Sequence, residues 1–330
     1  MGVRNQILAG FISLWVVLAA AAWAQSISPS ATPETPSRAD TGMNTGTVSR
    51  TDETLSNEQI KDLIRRVAEN DMANDKKLRD YTYTEREETK KLNKKGEVTS
   101  TESKTSDVLQ IYGETVEKLV ATDDKPLSEK EAAKEDERIQ KIIDKRKNES
   151  DSDREKRIKK EEKEREDGRE FVKEIADAYD FRLLGVENIN GRDAWVIDAQ
   201  PRPGYVPHKK EAKLLEKITG RIWIDKAEDQ WVRMDVKVME TISFGLFLAR
   251  LHEGTRVVVE QTRINDEVWL PKHAAVHVDV RLALLKNFDQ DIDITDRDYK
   301  KFHTGARIVG MKEIGQDERH ADPPTAKPDQ

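Results

Sequence analysis

The sequence predicts an α+β protein: an antiparallel β-meander of about 10–11 strands with helices laid against one side. Three observations carry this reading. Gly220–Arg233 reads as a hairpin, with Ile222 and Ile224 alternating with Arg221, Trp223 and Asp225 before a polar turn at Lys226–Asp229. The next strand sets Val232, Met234, Val236 and Val238 against Arg233, Asp235 and Lys237. Such period-two patterning gives a sheet one dry and one wet face, which is antiparallel logic. The pattern recurs through the second half of the chain, and a helix with one apolar stripe precedes the first strand.

Composition sets the outer limits. The 330 residues carry a formal net charge of −7 and contain no cysteine. An acidic balance excludes a nucleic-acid partner, which would need a basic face to displace counterions. Without thiols there is neither disulfide nor cysteine chemistry, and stability rests on apolar burial. Residues 1–24 read as a signal peptide: Arg4, an apolar run from Ile7 to Ala22, and a small-x-small site at Ala22-Trp23-Ala24. The run is short for a span of about 20 residues, so the expectation is cleavage after Ala24, leaving an exported chain with no membrane span. Residues 25–54, rich in Ser, Thr, Pro and Gly, read as a disordered spacer.

The main domain is expected over 55–312. Ser56 with Gln59 forms a capping-box pattern, and Ile60, Leu63, Ile64 and Val67 make one stripe on the helix that follows. Strands are expected from Tyr81, over Thr105–Tyr112 and over Thr115–Ala121, with a turn at Lys94-Lys95-Gly96. Residues 128–170 are mostly charged with nearly balanced signs, and Asn148–Asp153 divides them into two helices. The plain reading is a solvated helical insertion held by Glu–Lys pairs; the functional one is an arm that binds an envelope protein. Asn190-Gly191 between Phe181–Asn188 and Arg192–Ala199 is a type I′ hairpin signal. Strands at 255–264, 272–285 and 291–302 close the meander, and 313–330 reads as a disordered tail.

No nucleophile motif, glycine-rich phosphate loop or metal-ligand cluster is present, so the chain is expected to be no enzyme and to hold no cofactor or metal. His273 and His277 have zinc-like spacing, but on a strand four residues cover about 13 Å, too far for one ion. Asp289, Asp291 and Asp293 resemble the start of a calcium loop, yet Ile294 and Lys300 stand where glycine and glutamate are needed. Their alternation with Ile292 and Ile294 reads instead as a charge-protected edge strand. Trp223 and Trp231 are expected together on the face opposite the aliphatic one. Phe244, Phe247, Leu248 and Leu251 fall at helical spacing, as a buried core helix or as a lid over an apolar cavity. An enzymatic reading would need carboxylates such as Asp193 or Asp225 converging in a cleft.

With its amphipathic helix, Tyr81-Thr82-Tyr83-Thr84-Glu85-Arg86-Glu87, Gly220-Arg221-Ile222-Trp223-Ile224-Asp225, Gln230-Trp231-Val232-Arg233 and Val268-Trp269-Leu270-Pro271, the chain resembles the LolA/LolB-like periplasmic lipoprotein-carrier superfamily, with the outer-membrane lipoprotein-sorting relatives the nearest match. That resemblance implies a strongly curved sheet, an incomplete barrel, whose concave apolar face is covered by helices and shelters acyl chains. It implies a non-enzymatic periplasmic protein whose partners are lipid or lipoprotein acyl chains. The cavity candidates are then Val232, Met234, Val236, Val276, Val278 and Val280 as lining, with Phe244, Phe247, Leu248 and Leu251 as cover. The alternative is an envelope scaffold or stress sensor with a self-filled core.

Overall fold

The structure, a computed structural model, describes residues 54–208, 210–244, 249–282 and 286–302. The signal peptide, all but the last residue of the spacer, and the tail expected from the sequence lie outside those residues. Helix α1 (Asn57–Leu78) begins at a reciprocal cap: the Gln59 N–H donates to Ser56 Oγ at 3.2 Å, and the Ser56 N–H to Gln59 Oε1 at 2.8 Å. Its buried stripe is Ile60, Leu63, Ile64 and Val67, as the spacing requires. Strands β1 (Tyr81–Leu92), β2 (Val98–Ile111), β3 (Glu114–Thr122) and the short β4 (Lys125–Pro126) follow. Next come helices α2 (Glu129–Lys147) and α3 (Asp151–Ala178), then β5 (Tyr179–Ile189) and β6 (Arg192–Pro201). A 3-10 helix (Lys210–Lys217) leads to β7 (Ile218–Asp225), β8 (Gln230–Val238), β9 (Ile242–Phe244), β10 (Ala249–Leu251), β11 (Arg256–Ile264), β12 (Val268–Leu282) and β13 (Lys286–Lys301).

The strands form one sheet in the order β4-β3-β2-β1-β13-β12-β11-β8-β7-β6-β5, with β10 attached to β12 and β9 to β10. Neighbours pair antiparallel throughout, and β4 and β5 remain as edges, so this α+β curved meander is not closed into a barrel. Sharp turns set the register. Asn190 and Gly191 both take positive φ, 52° and 84°, the type I′ geometry that the Asn-Gly pair signals. At the β7–β8 turn the buried Asp225 carboxylate accepts the Ala227 and Glu228 N–H groups at 3.0 and 2.9 Å and a two-pronged contact from Arg192. Asp225 therefore holds a turn together, and its role is structural.

Helix α1 crosses the turn-bearing ends of the strands, touching β5, β8 and β12. Its length of about 33 Å covers the roughly 24 Å between those outer strands. Its stripe closes on Phe181, Trp195, Ile197, Ile222, Ile224 and Trp231 to form the main core. Among the described residues no helix is long and apolar enough to cross a membrane.

Several expectations are corrected. Among the described residues the sheet has thirteen strands: Lys125-Pro126 pairs with β3, and Ile242–Phe244 and Ala249–Leu251 pair with each other as β9 and β10 where a helix was expected. Three-residue strands are too short to show alternation, so a helical spacing of apolar residues arose there by coincidence. Within 128–170, Ile139 and Ile143 of α2 pack on Ile111 and Val116, and past its end Phe171, Ala176 and Ala178 of α3 belong to the main core. The strand carrying Asp289, Asp291 and Asp293 is no edge, since β13 is paired to both β12 and β1. Trp231 and Trp223 lie on opposite faces. A bulge at Trp223/Ile224 places Ile224 opposite Trp231 and Trp223 opposite Arg233, leaving Val232 as the extra residue. The parity flips there, so Trp231 turns inward to the main core and Val232 outward to Trp223 and Trp269.

Candidate ligand-binding face

Cross-strand register builds the site. On the helix-bearing face, Ala199 pairs with Gly220, Gly220 with Val236, Val236 with Val257, Val257 with Val276, and Val276 with Ile292. These six residues form one straight row across β6, β7, β8, β11, β12 and β13, about 24 Å from end to end at the spacing of hydrogen-bonded strands. Every one of them is only half-buried. Met234 and Val259, opposite one another in the adjacent row, are half-buried as well.

The row lies between two closed regions. On one side α1 seals the turn-bearing end of the sheet. On the other, Ile218, Val238, Val278 and Val280 are all buried in the main core, together with Leu215 of the 3-10 helix and with Ile242 and Leu251 of β9 and β10, which continue the sheet beside β12. At Gly220 an added Cβ would stand 3.3 Å from the Asp235 carbonyl oxygen and 3.7 Å from Val236 Cγ2. A side chain there would crowd β8, so glycine permits the close approach of β7 and β8.

The candidate residues fall into separate groups. Met234, Val236 and Val276 lie in the half-open band. Val278, Val280 and Leu251 are on the same side but sealed in the core. Val232 leaves the set, being packed on the opposite face. Phe247 and Leu248 lie outside the described residues, and Phe244 is placed only by its backbone in β9. Reading the sequence missed Val257, Val259, Gly220 and Ile292, which join only through the register. Alternation in Arg256–Ile264 was the available signal.

Beyond Ile292 and Ile294 the same face becomes polar. Ile294 pairs with Glu87, and Asp296 with Glu85. Both carboxylates of the second pair are buried, as is Tyr83, and neither Asp296 Oδ1 nor the Tyr83 hydroxyl has a partner. Burial pushes the Asp296 carboxyl well above the usual range, with Glu85 and Glu117 adding to the effect. On the opposite face His273 Nε2 lies 2.7 Å from Asp293 Oδ2, and His277 Nδ1 2.8 Å from Asp291 Oδ1. Each histidine has its own carboxylate, and among the described residues no three His, Asp or Glu side chains converge as a metal would require. A separate pocket of about 260 Å³ opens at the start of α1, lined by Leu55, Gln59, Asp62, Leu63, Arg66, Trp195 and Asp229.

No protein-family model and no curated protein matches the chain. Solved structures do. The likeness is one of fold alone. A DUF1329 family protein from Desulfovibrio piger is 11% identical with a TM-score of 0.28, over 79% of this chain and 99% of its own. A putative outer membrane lipoprotein-sorting protein domain from Vibrio parahaemolyticus is 13% identical with a TM-score of 0.30, over 76% and 98%. A LolA superfamily protein from Nitrosomonas europaea is 8% identical with a TM-score of 0.27, over 77% and 98%.

Proposed function

We propose that this protein is a non-enzymatic, periplasmic binding protein that shelters the acyl chains of lipid or lipoprotein on its half-open apolar band. The observation that carries the reading is the row Ala199–Gly220–Val236–Val257–Val276–Ile292: unbroken, free of charge, and half-exposed between two sealed regions. A half-buried apolar strip flanked by finished core leaves some apolar surface in water, and covering it with a chain returns about 25 cal/mol per Å². The decisive measurement is mass spectrometry of protein purified without detergent, combined with displacement of a fluorescent fatty-acid probe. Absence of bound lipid together with absence of a displaceable probe overturns the reading. Val276→Glu places a carboxylate in mid-row and should weaken probe binding by about tenfold or more, with the circular dichroism unchanged.

One observation favours a second reading, an envelope scaffold or stress sensor working through protein contacts. Helix α2 is anchored by Ile139 and Ile143 while its far side displays Glu137 and Lys141, whose side chains are 65% and 73% exposed. Replacing Glu137, Lys141, Lys156 and Lys159 by serine leaves the anchor intact. An unchanged set of cross-linked partners in that variant would eliminate the scaffold reading.

A further inference from the structure

One polar side chain interrupts the apolar band. Gln290 stands on the helix-bearing face of β13 between Phe288 and Ile292, opposite Val278 of β12 and Lys91 of β1. The register across 286–297 is regular on both sides, so alternation places Gln290 with Phe288 and Ile292, which pack on the main core, and not with the outward aspartates. It is half-buried, and its amide makes no hydrogen bond to any described residue. Since β13 is paired on both edges, a glutamine here guards no strand edge against aggregation.

A primary amide carries two donors and a carbonyl acceptor. In the open band, water serves them. A plain hydrocarbon laid along Val236, Val257, Val276 and Ile292 would displace that water and return nothing, leaving the amide unpaired in an apolar setting. A chain with a carbonyl at that point would accept from Gln290 Nε2 instead. Past Gln290 the face offers a polar landing. Lys91 Nζ meets Glu102 Oε1 at 2.7 Å, both side chains about one-third exposed, beside Thr89 and Glu87.

We infer that the ligand is an acyl chain joined through an ester or amide carbonyl: its tail lies toward β8, its linkage is held by Gln290, and its polar head rests over β1 and β2. Gln290 is the specificity-determining residue of the band. This rests on the acyl-binding reading above and adds the class and direction of the ligand. A site built to hydrogen-bond one group rejects the analogue that lacks it more strongly than a purely apolar site can.

The test is displacement of the fluorescent fatty-acid probe from the full chain by methyl dodecanoate, N-methyldodecanamide and tridecane. The wild type should bind the ester and the amide roughly tenfold or more tightly than the hydrocarbon. Gln290→Leu should bring all three within about threefold, chiefly by strengthening tridecane. Gln290→Met, close in size and apolar, should reproduce that result should the leucine variant misfold. Equal binding of the three by the wild type, or discrimination that survives in either variant, overturns the role of Gln290 while acyl binding stands. Failure of the probe itself to bind overturns both.

Discussion

Removing the contact that holds α1 on the sheet should cost a definite and measurable energy. The Trp231 indole N–H donates to Asp71 Oδ1 at 2.7 Å, between groups 5% and 8% exposed and 160 residues apart in the chain. A hydrogen bond to a charged acceptor contributes about 1.5–3 kcal/mol, and an orphaned buried donor costs about 1–3 kcal/mol. Asp71→Ala strands the indole N–H, whereas Trp231→Phe takes one donor from the carboxylate and also trims core contact. Each single variant should lose about 2 kcal/mol, and the double variant less than their sum by about 1–2 kcal/mol. Asp71 makes a further contact besides this one. The cycle removes that complication, because its interaction energy belongs to the pair alone. Urea unfolding of the four proteins gives the number. Additivity within about 0.5 kcal/mol would mean the pair does not clamp the helix, and the account of how one end of the sheet is sealed would fail.

The His273–Asp293 pair should leave a signature in pH dependence. Its hydrogen bond to Asp293 raises the His273 pKa above 6.5, and the same bond lowers that of Asp293 below 3.8. The histidine's contribution is complete below 6.5 and fades as pH rises through its folded value. That of Asp293 is complete above 3.8 and is lost on acidification. His273→Gln should therefore be destabilised most between those limits and converge on wild type at higher pH. Parallel stability curves would refute this. Asp296 behaves oppositely: a carboxyl whose folded pKa is raised costs stability as pH climbs from 3.8 toward that value. Asp296→Asn should then flatten the decline and gain on wild type as pH rises above 3.8, and an unchanged slope would argue against burial as the cause. Ile139→Ala with Ile143→Ala should release α2 while sparing the main core, the two positions belonging to a separate cluster. Hydrogen exchange would then rise over residues 129–147 and stay unchanged in β7 and β8. Uniform acceleration would show that the clusters unfold together.

Much of the architecture is legible in local pattern. Ser56 and Gln59 announce the start of α1, Asn190-Gly191 announces a hairpin, and Met234, Val236 and Val276 declare their face because alternation runs unbroken through them. Trp231 and Val232 mislead, since one inserted residue reverses parity and only two adjacent large apolar residues hint at it. Phe244–Leu251 misleads for another reason: strands of three residues carry too little pattern to outvote a helical spacing.

Local order alone was enough to settle where the chain turns, and which side chains share a face wherever no bulge intervenes, because a strand's two-residue period and a helix's capping chemistry act within a few residues. Which of those side chains stay open to a ligand was decided by tertiary structure. Val276 and Val278 are near neighbours on one strand and one face, yet the first is half-exposed and the second sealed. Burial depends on what distant segments bring to a position: α1 across the turn-bearing end of the sheet, the 3-10 helix on the same face, and β10 beside β12. No window of sequence contains those neighbours.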